Sequence, residues 1–266
     1  MRTAVVGHVE WVEFARVARV PRPGEIVHAL ETWFEPAGGG AVAAGELLRL
    51  AGNVVFFTVL GDDEHGYRAE RGLRELGVSL EAVYRDEPQR RCFTFLDEDG
   101  ERTITTIGER LEPHASDPLR WHELDEIDAV YFTAGDPAAL RQARRAKALV
   151  ATARVLPTLA AAGVELDALV HSGSDENEPY REGELDPPPR LVATTEGRKG
   201  GRFTAGDHDG RWEPAPLPGP LVDAYGAGDC FAAGLAFALG AGRGVEEALA
   251  LAAQSAALAM TRRGAY

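Results

Sequence analysis

The sequence predicts an α/β protein with a mostly parallel central sheet and helices on both faces. In the second half of the chain, short apolar strands such as "AVYFTAG" and "ALVAT" alternate with helical segments. Such alternation is typical of parallel strands joined by crossover helices. Earlier β-like pieces do not fit the alternation, so we expect them to form a small additional sheet.

The first half of the chain contains two helices between strands. A strand over Thr3–Val9 opens the chain and ends near a glycine. A helix over Ala41–Leu50 ends at Gly52, and "NVVFFTVLG" is predicted to be a buried strand. A second helix covers Gly66–Leu76, and "CFTFLDEDGERTITTIG" is predicted to be a hairpin with its turn at Asp97–Gly100.

The second half follows the alternating pattern to its last residues. Helices over Ala138–Ala146 and Val155–Ala162 separate the strands "AVYFTAG", "ALVAT" and "DALVH". The strand "RLVATTEG" precedes a hairpin, "GRFTAGDHDGRW", with a turn expected at Asp209–Gly210. Two helices, Ala227–Leu239 and Val245–Met260, complete the prediction. We expect residues 1–266 to form a single domain, with the small sheet built from about 13–36 and 90–107.

Composition excludes several classes of function. A net charge of −14 argues against a nucleic-acid partner, because phosphate backbones are bound by clustered Lys and Arg. The two cysteines lie far apart, and the seven histidines show no H-E-x-x-H spacing, so a zinc hydrolase is not expected. No signal-peptide pattern and no long apolar run occur, so we expect a cytoplasmic protein with no membrane segment or membrane partner.

The segment "LVDAYGAGDCFAAG" is the strongest candidate for a site. It lies just before a helical run, where free backbone N–H groups and the helix dipole attract anions. Gly226 and Gly228 would let those amides approach a phosphate. Asp229 is either a favourable charge in the first helical turn or a general base beside an anion-binding loop, and the segment alone leaves both open.

The longer segment "DAYGAGDCFAAGLAFAL" resembles the second sequence signature of the PfkB, or ribokinase-like, carbohydrate kinase family. "PAGGGAVAAGELLRLAG", "VLGDDEHGYRAERGLRELGV", "DEDGERTI" and "VATTEGRKGGRF" resemble further family segments in the same order. The resemblance therefore covers nearly the whole chain. It implies a ribokinase-like three-layer α/β/α domain that uses ATP and Mg²⁺ to phosphorylate a hydroxyl of a small carbohydrate.

The resemblance also implies roles for individual residues. Asp229 would deprotonate the acceptor hydroxyl, while the amides that follow Gly226, at Ala227, Gly228 and Asp229, would hold the charge of the transferred phosphoryl group. The residues that would meet the nucleotide lie at the end of one strand: Thr195, Glu196, Gly197 and Gly200.

The acceptor side matches the family only in part. Gly38 and Gly39 match the Gly-Gly loop next to the sugar. Ala43 occupies the position of a common Asn, and Val12 that of a common Asp. Glu10 shares a strand face with Val12, so it is the candidate replacement carboxylate. The departures leave a nucleoside or another small alcohol open as the acceptor.

The segment that would lie near the metal also departs from the family pattern. The family's N-x-x-E block aligns best with Ser172–Asp175, which makes Asp175 the candidate for the Mg²⁺ environment, while Asn177 and Glu178 offer an alternative alignment. The resemblance leaves open whether the protein also requires a monovalent cation. It also leaves open that the protein is a regulatory member of the family, which binds ligands without turnover. A nicotinamide-dependent enzyme is the weaker alternative, because no G-x-G-x-x-G follows the first strand.

The small sheet is expected to act as a lid over the acceptor. In the family such lids often pair between subunits, so the resemblance favours a homodimer. Trp33, Phe34, Phe93 and Phe95 are the candidate apolar face of that lid, with ordinary core packing as the alternative.

Overall fold

A computed structural model describes all residues from Met1 to Tyr266. In chain order, strands β1 to β13 span Thr3–Val6, Glu10–Arg16, Glu31–Ala37, Val55–Gly61, Ser79–Arg85, Arg91–Leu96, Arg102–Ile107, Ala129–Phe132, Ala148–Thr152, Ala168–Ser172, Val192–Thr195, Gly201–Ala205 and His208–Trp212. Helices α1 to α6 span Gly39–Ala51, Glu64–Glu75, Pro137–Ala143, Leu156–Ala162, Ala227–Gly240 and Val245–Ala259.

The central sheet has nine strands in the order β13-β12-β11-β10-β9-β8-β1-β4-β5. The strands from β11 to β5 run parallel, while β12 and β13 add an antiparallel hairpin at one edge. Strand β1 lies inside the sheet, between β8 and β4. The carboxyl ends of β1, β8, β9 and β10 therefore lie side by side at one edge, where loops enter the helices.

Helices cover both faces of this sheet. On one face Val5 packs with residues of α1, α2, α5 and α6. On the other face Ala4 and Val6 pack with α3, α4 and the segment from Leu119 to Ile127. Neighbouring residues of β1 face opposite layers because side chains alternate along a strand. The structure confirms the predicted α/β fold, with a mostly parallel sheet between helical layers.

The small sheet contains β3, β2, β6 and β7, in that order. Strand β2 pairs antiparallel with β3 and parallel with β6, and β6 pairs antiparallel with β7. Its inner face places Val12, Phe14, Cys92 and Leu96 against Tyr225, while β7 is exposed along its length. The first strand of this sheet begins at Glu10, earlier than the expected position near 13, and residues 17–30 are not part of it.

Three further details differ from the sequence-based expectation. The first strand ends at Val6 instead of Val9. The edge strand β5 was not predicted, because its residues alternate only weakly in burial. The last hairpin turns at Gly206 and Asp207 instead of Asp209–Gly210, since Ala205 pairs with His208 and Gly206 supplies a φ of 60°.

None of the helices combines the length and the apolar character that a bilayer crossing requires.

Candidate active site

Helix α5 begins at the edge of the sheet where the parallel strands end. Gly226 is its N-cap, with a φ of 72°. The amides of Gly228 and Asp229 have no hydrogen-bond acceptor in the chain, whereas that of Ala227 makes a long bond of 3.5 Å to the Ala224 carbonyl. Nothing lies within 4 Å of the position that a Cβ on Gly228 would take, so the first turn of α5 is uncovered at this residue. The loop can accept an anion at the positive end of the helix.

Asp229 lies in the first turn of α5 and is partly buried. Burial raises the pKa of its carboxyl above the ordinary value, and the positive charges of Arg154 and Arg102 oppose that shift. The hydroxyl of Tyr131 on β8 donates a hydrogen bond to Asp229 Oδ1 at 3.3 Å. A buried carboxylate with a raised pKa and one fixed donor is suited to accept a proton from a hydroxyl group.

The start of helix α1 packs against the start of α5. A Cβ on Gly39 would lie 2.8 Å from Asp229 Oδ1, and a Cβ on Gly226 would lie 2.7 Å from Val42 Cγ1. Gly38 donates its N–H to the Tyr225 hydroxyl at 3.2 Å. Gly39 is therefore brought next to the predicted base, because only a residue without a side chain allows the two helix ends to meet.

Asp223, the first residue of the glycine-rich segment, has a structural role in the site. It is fully buried, and its carboxylate accepts the N–H groups of Tyr225 and Gly264, each at 2.9 Å. The last residues of the chain continue this connection, since Ala265 donates its N–H to Glu35 of the small sheet at 2.7 Å. The loop before α5 is thus fixed to a distant part of the chain, which the sequence alone did not indicate.

The residues expected to meet a nucleotide lie at the end of β11. Thr195 donates a hydrogen bond to the His171 carbonyl at 3.4 Å, and Gly197 begins a short 3-10 turn that ends at Gly200. The carboxylate of Glu196 accepts from Arg202 at 2.7 Å and from Arg211 at 2.6 Å. The Glu196 side chain therefore faces the β12–β13 hairpin, so Thr195 and the backbone of Gly197 and Gly200 are the groups left for a nucleotide.

Asp175, the candidate for the metal environment, forms an ion pair with an arginine. Arg154, just after β9, donates to Asp175 Oδ2 at 2.7 Å and lies 2.6 Å from Glu178 Oε1. Burial raises the pKa of Glu178, and the charges of Asp229 and Asp175 add to that shift while Arg154 opposes it. Both alternatives of the sequence alignment, Asp175 and Glu178, thus meet at one guanidinium. Sequence reasoning missed Arg154, whose signal was an arginine directly after a buried strand.

No group of three or more metal-binding side chains occurs in the structure. The carboxylates of Asp175 and Glu178 fit a hydrated Mg²⁺ held mainly by phosphate oxygens and waters, and not a cage built by the protein alone.

On the acceptor side, Glu10 is almost completely buried among polar groups. Its Oε2 accepts from the Cys92 thiol at 3.1 Å, and its Oε1 lies 3.1 Å from Arg90 Nε. Val12 and Ala43 are both 0% exposed, so an acceptor contact through either side chain would need a movement of the residues around it. Glu10 and Val12 do share the buried face of β2, as the strand alternation predicted.

An α/β fold with an anion-accepting helix start beside a buried carboxylate is the arrangement of a phosphotransferase. The sequence profile of the pfkB carbohydrate kinases matches residues 2–175 and 165–266, and the chain belongs to this family. The protein is a kinase with the ribokinase-like fold.

Individual relatives agree with this assignment. An ATP-dependent ribose-1-phosphate kinase from Halopiger xanaduensis is 31% identical to this chain, over 100% of the chain and 94% of the relative. Ribokinase from Thermotoga maritima superposes with a TM-score of 0.78 at 22% identity, covering 99% of this chain and 94% of the other. Arabidopsis thaliana ribokinase, solved with ribose and ATP, gives a TM-score of 0.75 at 22% identity, covering 98% and 93%.

Proposed function

We propose that this protein is an ATP-dependent kinase that transfers the γ-phosphoryl group to a hydroxyl of a small carbohydrate, with Asp229 as the general base. The observation that carries the proposal is the position of the Asp229 carboxylate in the same helical turn as two unpaired amides, those of Gly228 and Asp229. A base for the acceptor hydroxyl and donors for the transferred phosphoryl group thus lie within one turn.

The proton and the phosphoryl group have separate partners in this mechanism. Asp229 accepts the acceptor hydroxyl's proton, and the acceptor oxygen then forms a bond to the γ-phosphorus as the bond to ADP breaks. Negative charge on the transferred group is stabilised by the amides of the loop after Gly226 and by the helix dipole. The Tyr131 hydroxyl, whose pKa burial raises well above its usual value, keeps its proton and orients Asp229 Oδ1.

ATP is the phosphoryl donor of the proposed reaction, and Mg²⁺ would accompany its phosphates. The ATP phosphates would extend from the amides of α5 toward Thr195 and Gly197 at the end of β11. A bound Mg²⁺ would neutralise phosphate charge, and Asp175 and Glu178, which share Arg154, are the carboxylates that would hold it through waters. Whether a monovalent cation also binds near the loop is a separate question for the same assay.

We further propose that the small sheet is a lid that excludes water from the transfer step. Water would otherwise compete with the acceptor hydroxyl for the phosphoryl group. The outer face exposes Phe34 and Ile107, which supports pairing of two copies through this sheet. Sedimentation or light scattering of the purified chain, with Ile107→Lys as the variant that prevents such pairing, tests the homodimer.

The acceptor is proposed to be a pentose. The similar proteins carry the names ribose-1-phosphate kinase and ribokinase, so ribose and ribose 1-phosphate are the first acceptors to test. A nucleoside is the second candidate, because the buried apolar Val12 and Ala43 reduce the number of polar groups available for sugar hydroxyls.

The decisive experiment measures ADP formation from ATP and Mg²⁺ with ribose, ribose 1-phosphate and adenosine. Asp229→Asn should lower kcat by about 10²- to 10⁴-fold, the usual contribution of a general base. Asp207→Asn, at the exposed hairpin turn, is the matched control and should keep full activity. Turnover that survives in Asp229→Asn would exclude Asp229 as the base, and ATP binding without turnover of any acceptor would favour a regulatory relative.

A further inference from the structure

Basic side chains from three separate segments gather next to strand β1. His8 follows β1, Arg90 precedes β6 and Arg110 follows β7. Burial, together with the positive charges of Arg110, Arg90 and Arg154, lowers the pKa of His8 to about 4, while Glu10 opposes the shift. His8 Nε2 lies 3.8 Å from Glu10 Oε1, and Arg90 Nε lies 3.1 Å from the same oxygen. Ile107, three residues before Arg110, pairs with Arg91 across β6 and β7. The fold thus brings these segments together, although up to about a hundred residues separate them in sequence.

Arg110 is the unbalanced charge of this group. It forms no ion pair, and its Nε atom is buried without a hydrogen-bond partner. Burial and the charge of Arg90 lower the pKa of Arg110, against the attraction of Glu10 and Glu112. Arg110 is half-buried, and a guanidinium that is partly removed from water without an anionic partner suits a site where a ligand supplies the anion.

The neighbouring polar atoms also lack partners. Arg90 Nε lies 3.1 Å from Glu10 Oε1, but its N–H does not have hydrogen-bond geometry toward that oxygen. His8 Nδ1 and Thr133 Oγ1 are buried and unpaired as well. Glu10 balances Arg90, and Arg154 is paired with Asp175 and Glu178. His8 and Arg90 thus flank Glu10, and Arg110 adds a positive charge without an ion pair close to Arg90.

The sheet order separates this group from the nucleotide side. His8 continues from β1, Tyr131 lies on the neighbouring β8 and holds Asp229 of α5, and Thr195 lies on β11. Four strand spacings separate β1 from β11, about 19 Å at ~4.8 Å each. An anion beside His8 and Arg110 is therefore on the opposite side of the base from the end of β11.

We propose that Arg110, with Arg90 and His8, binds a phosphate group that the acceptor already carries, so that the acceptor is a phosphorylated sugar and not a neutral one. This inference rests on the proposed function, since it concerns the acceptor of the same reaction. Arginine binds phosphate through two parallel N–H donors, and a phosphate offers enough oxygens for two arginines and an imidazole. The existing phosphate takes no part in bond making and only positions the hydroxyl near Asp229.

The test compares ribose 1-phosphate, ribose 5-phosphate and ribose as acceptors of the full-length enzyme. Arg110→Met keeps the aliphatic stem and removes the charge, and Arg91→Met is the matched control, because Arg91 is exposed and has no ion pair. We expect Arg110→Met to raise KM for the preferred sugar phosphate about 10- to 100-fold, the effect of one charge-assisted hydrogen bond, while KM for ribose is unchanged. Arg91→Met should alter neither value.

A second measurement checks that Arg110→Met folds. Without ligand, removal of the unpaired charge should raise the melting temperature, by about 2–4 °C. Equal kcat/KM for ribose and both sugar phosphates, or equal losses for all three acceptors in Arg110→Met, would overturn the inference while the kinase assignment stands. If no acceptor is phosphorylated, the proposed function fails, and calorimetry with ribose 1-phosphate and ribose 5-phosphate then decides: binding that Arg110→Met abolishes supports the subsite, and no binding to the unchanged protein refutes it.

Discussion

At the scale of single residues, the proposed chemistry depends on how the groups around Asp229 set the pKa of its carboxyl. Burial raises the pKa of its carboxyl, and Arg154 is the largest opposing influence. A base must be deprotonated to act, so activity should rise with pH through this raised pKa. Arg154 is paired with Asp175 and Glu178, which means that its positive charge is held in place next to the base.

Arg154→Met should therefore move the acidic limb of the kcat/KM profile to higher pH. Loss of this charge removes the largest influence that opposes burial and leaves only Arg102 and the Tyr131 hydrogen bond, so the pKa of Asp229 rises further. The measurement is kcat/KM against pH for both proteins, with Arg243→Met in the exposed α5–α6 loop as the control. An unchanged acidic limb together with a lower maximum would show that Arg154 contributes to binding without tuning Asp229.

His8 gives a prediction for stability against pH. Its pKa falls from 6.5 to about 4 in the folded protein, so the unfolded chain takes up the proton first as the pH decreases. Between these two values the folded state loses stability, by about 3 kcal/mol in total at 1.36 kcal/mol per pKa unit. His8→Gln has no group that titrates there. The difference in unfolding free energy between the two proteins, from urea titrations at pH 7 and pH 4, should therefore shrink by roughly this amount. A constant difference would show that folding does not lower the pKa of His8.

At the scale of elements, the site depends on the close approach of the first turns of α1 and α5. Gly39→Ala would place a Cβ 2.8 Å from Asp229 Oδ1 and displace the carboxylate. A displacement of the base by about 1 Å should reduce kcat roughly 10²-fold. Gly244→Ala, at the start of α6 with nothing within 4 Å of its Cβ position, is the control and should leave kcat unchanged. Equal kcat for both variants would mean that Asp229 has room to adjust.

At the scale of the whole molecule, the last residues of the chain hold the small sheet to the central domain. Tyr266 donates its hydroxyl to the Pro36 carbonyl at 2.7 Å, and its ring packs against Gly45 of α1. Asp223 and Glu35 accept the N–H groups of Gly264 and Ala265. One short segment thus contacts the small sheet, helix α1 and the loop before α5.

Tyr266→Ala should accordingly destabilise the protein by about 3 kcal/mol, the usual cost of removing a packed aromatic ring. Tyr266→Phe keeps the ring and loses one hydrogen bond, so it should cost about 1 kcal/mol. Urea unfolding measures both values. Similar small losses for the two variants would show that the ring adds little to the attachment.

The sequence alone determined the fold class, most of the elements and the position of the candidate base. These features have local signals: strands and helices differ in period, and the glycines around Asp229 lie within a few residues of it. The edge strand β5 was not predicted, because the burial of a half-exposed strand alternates only weakly. The last hairpin turn was placed wrongly, because two glycine-containing positions were both suitable for the turn.

Only the tertiary structure decided what surrounds the acceptor. Glu10, proposed from its strand face as a sugar contact, is held by Arg90 and Cys92, about eighty residues away in sequence. Arg110 and His8 join them although no pattern connects these positions. The charge of such a group depends on which side chains the fold brings together and on how deeply it buries them, and no local signal carries either quantity.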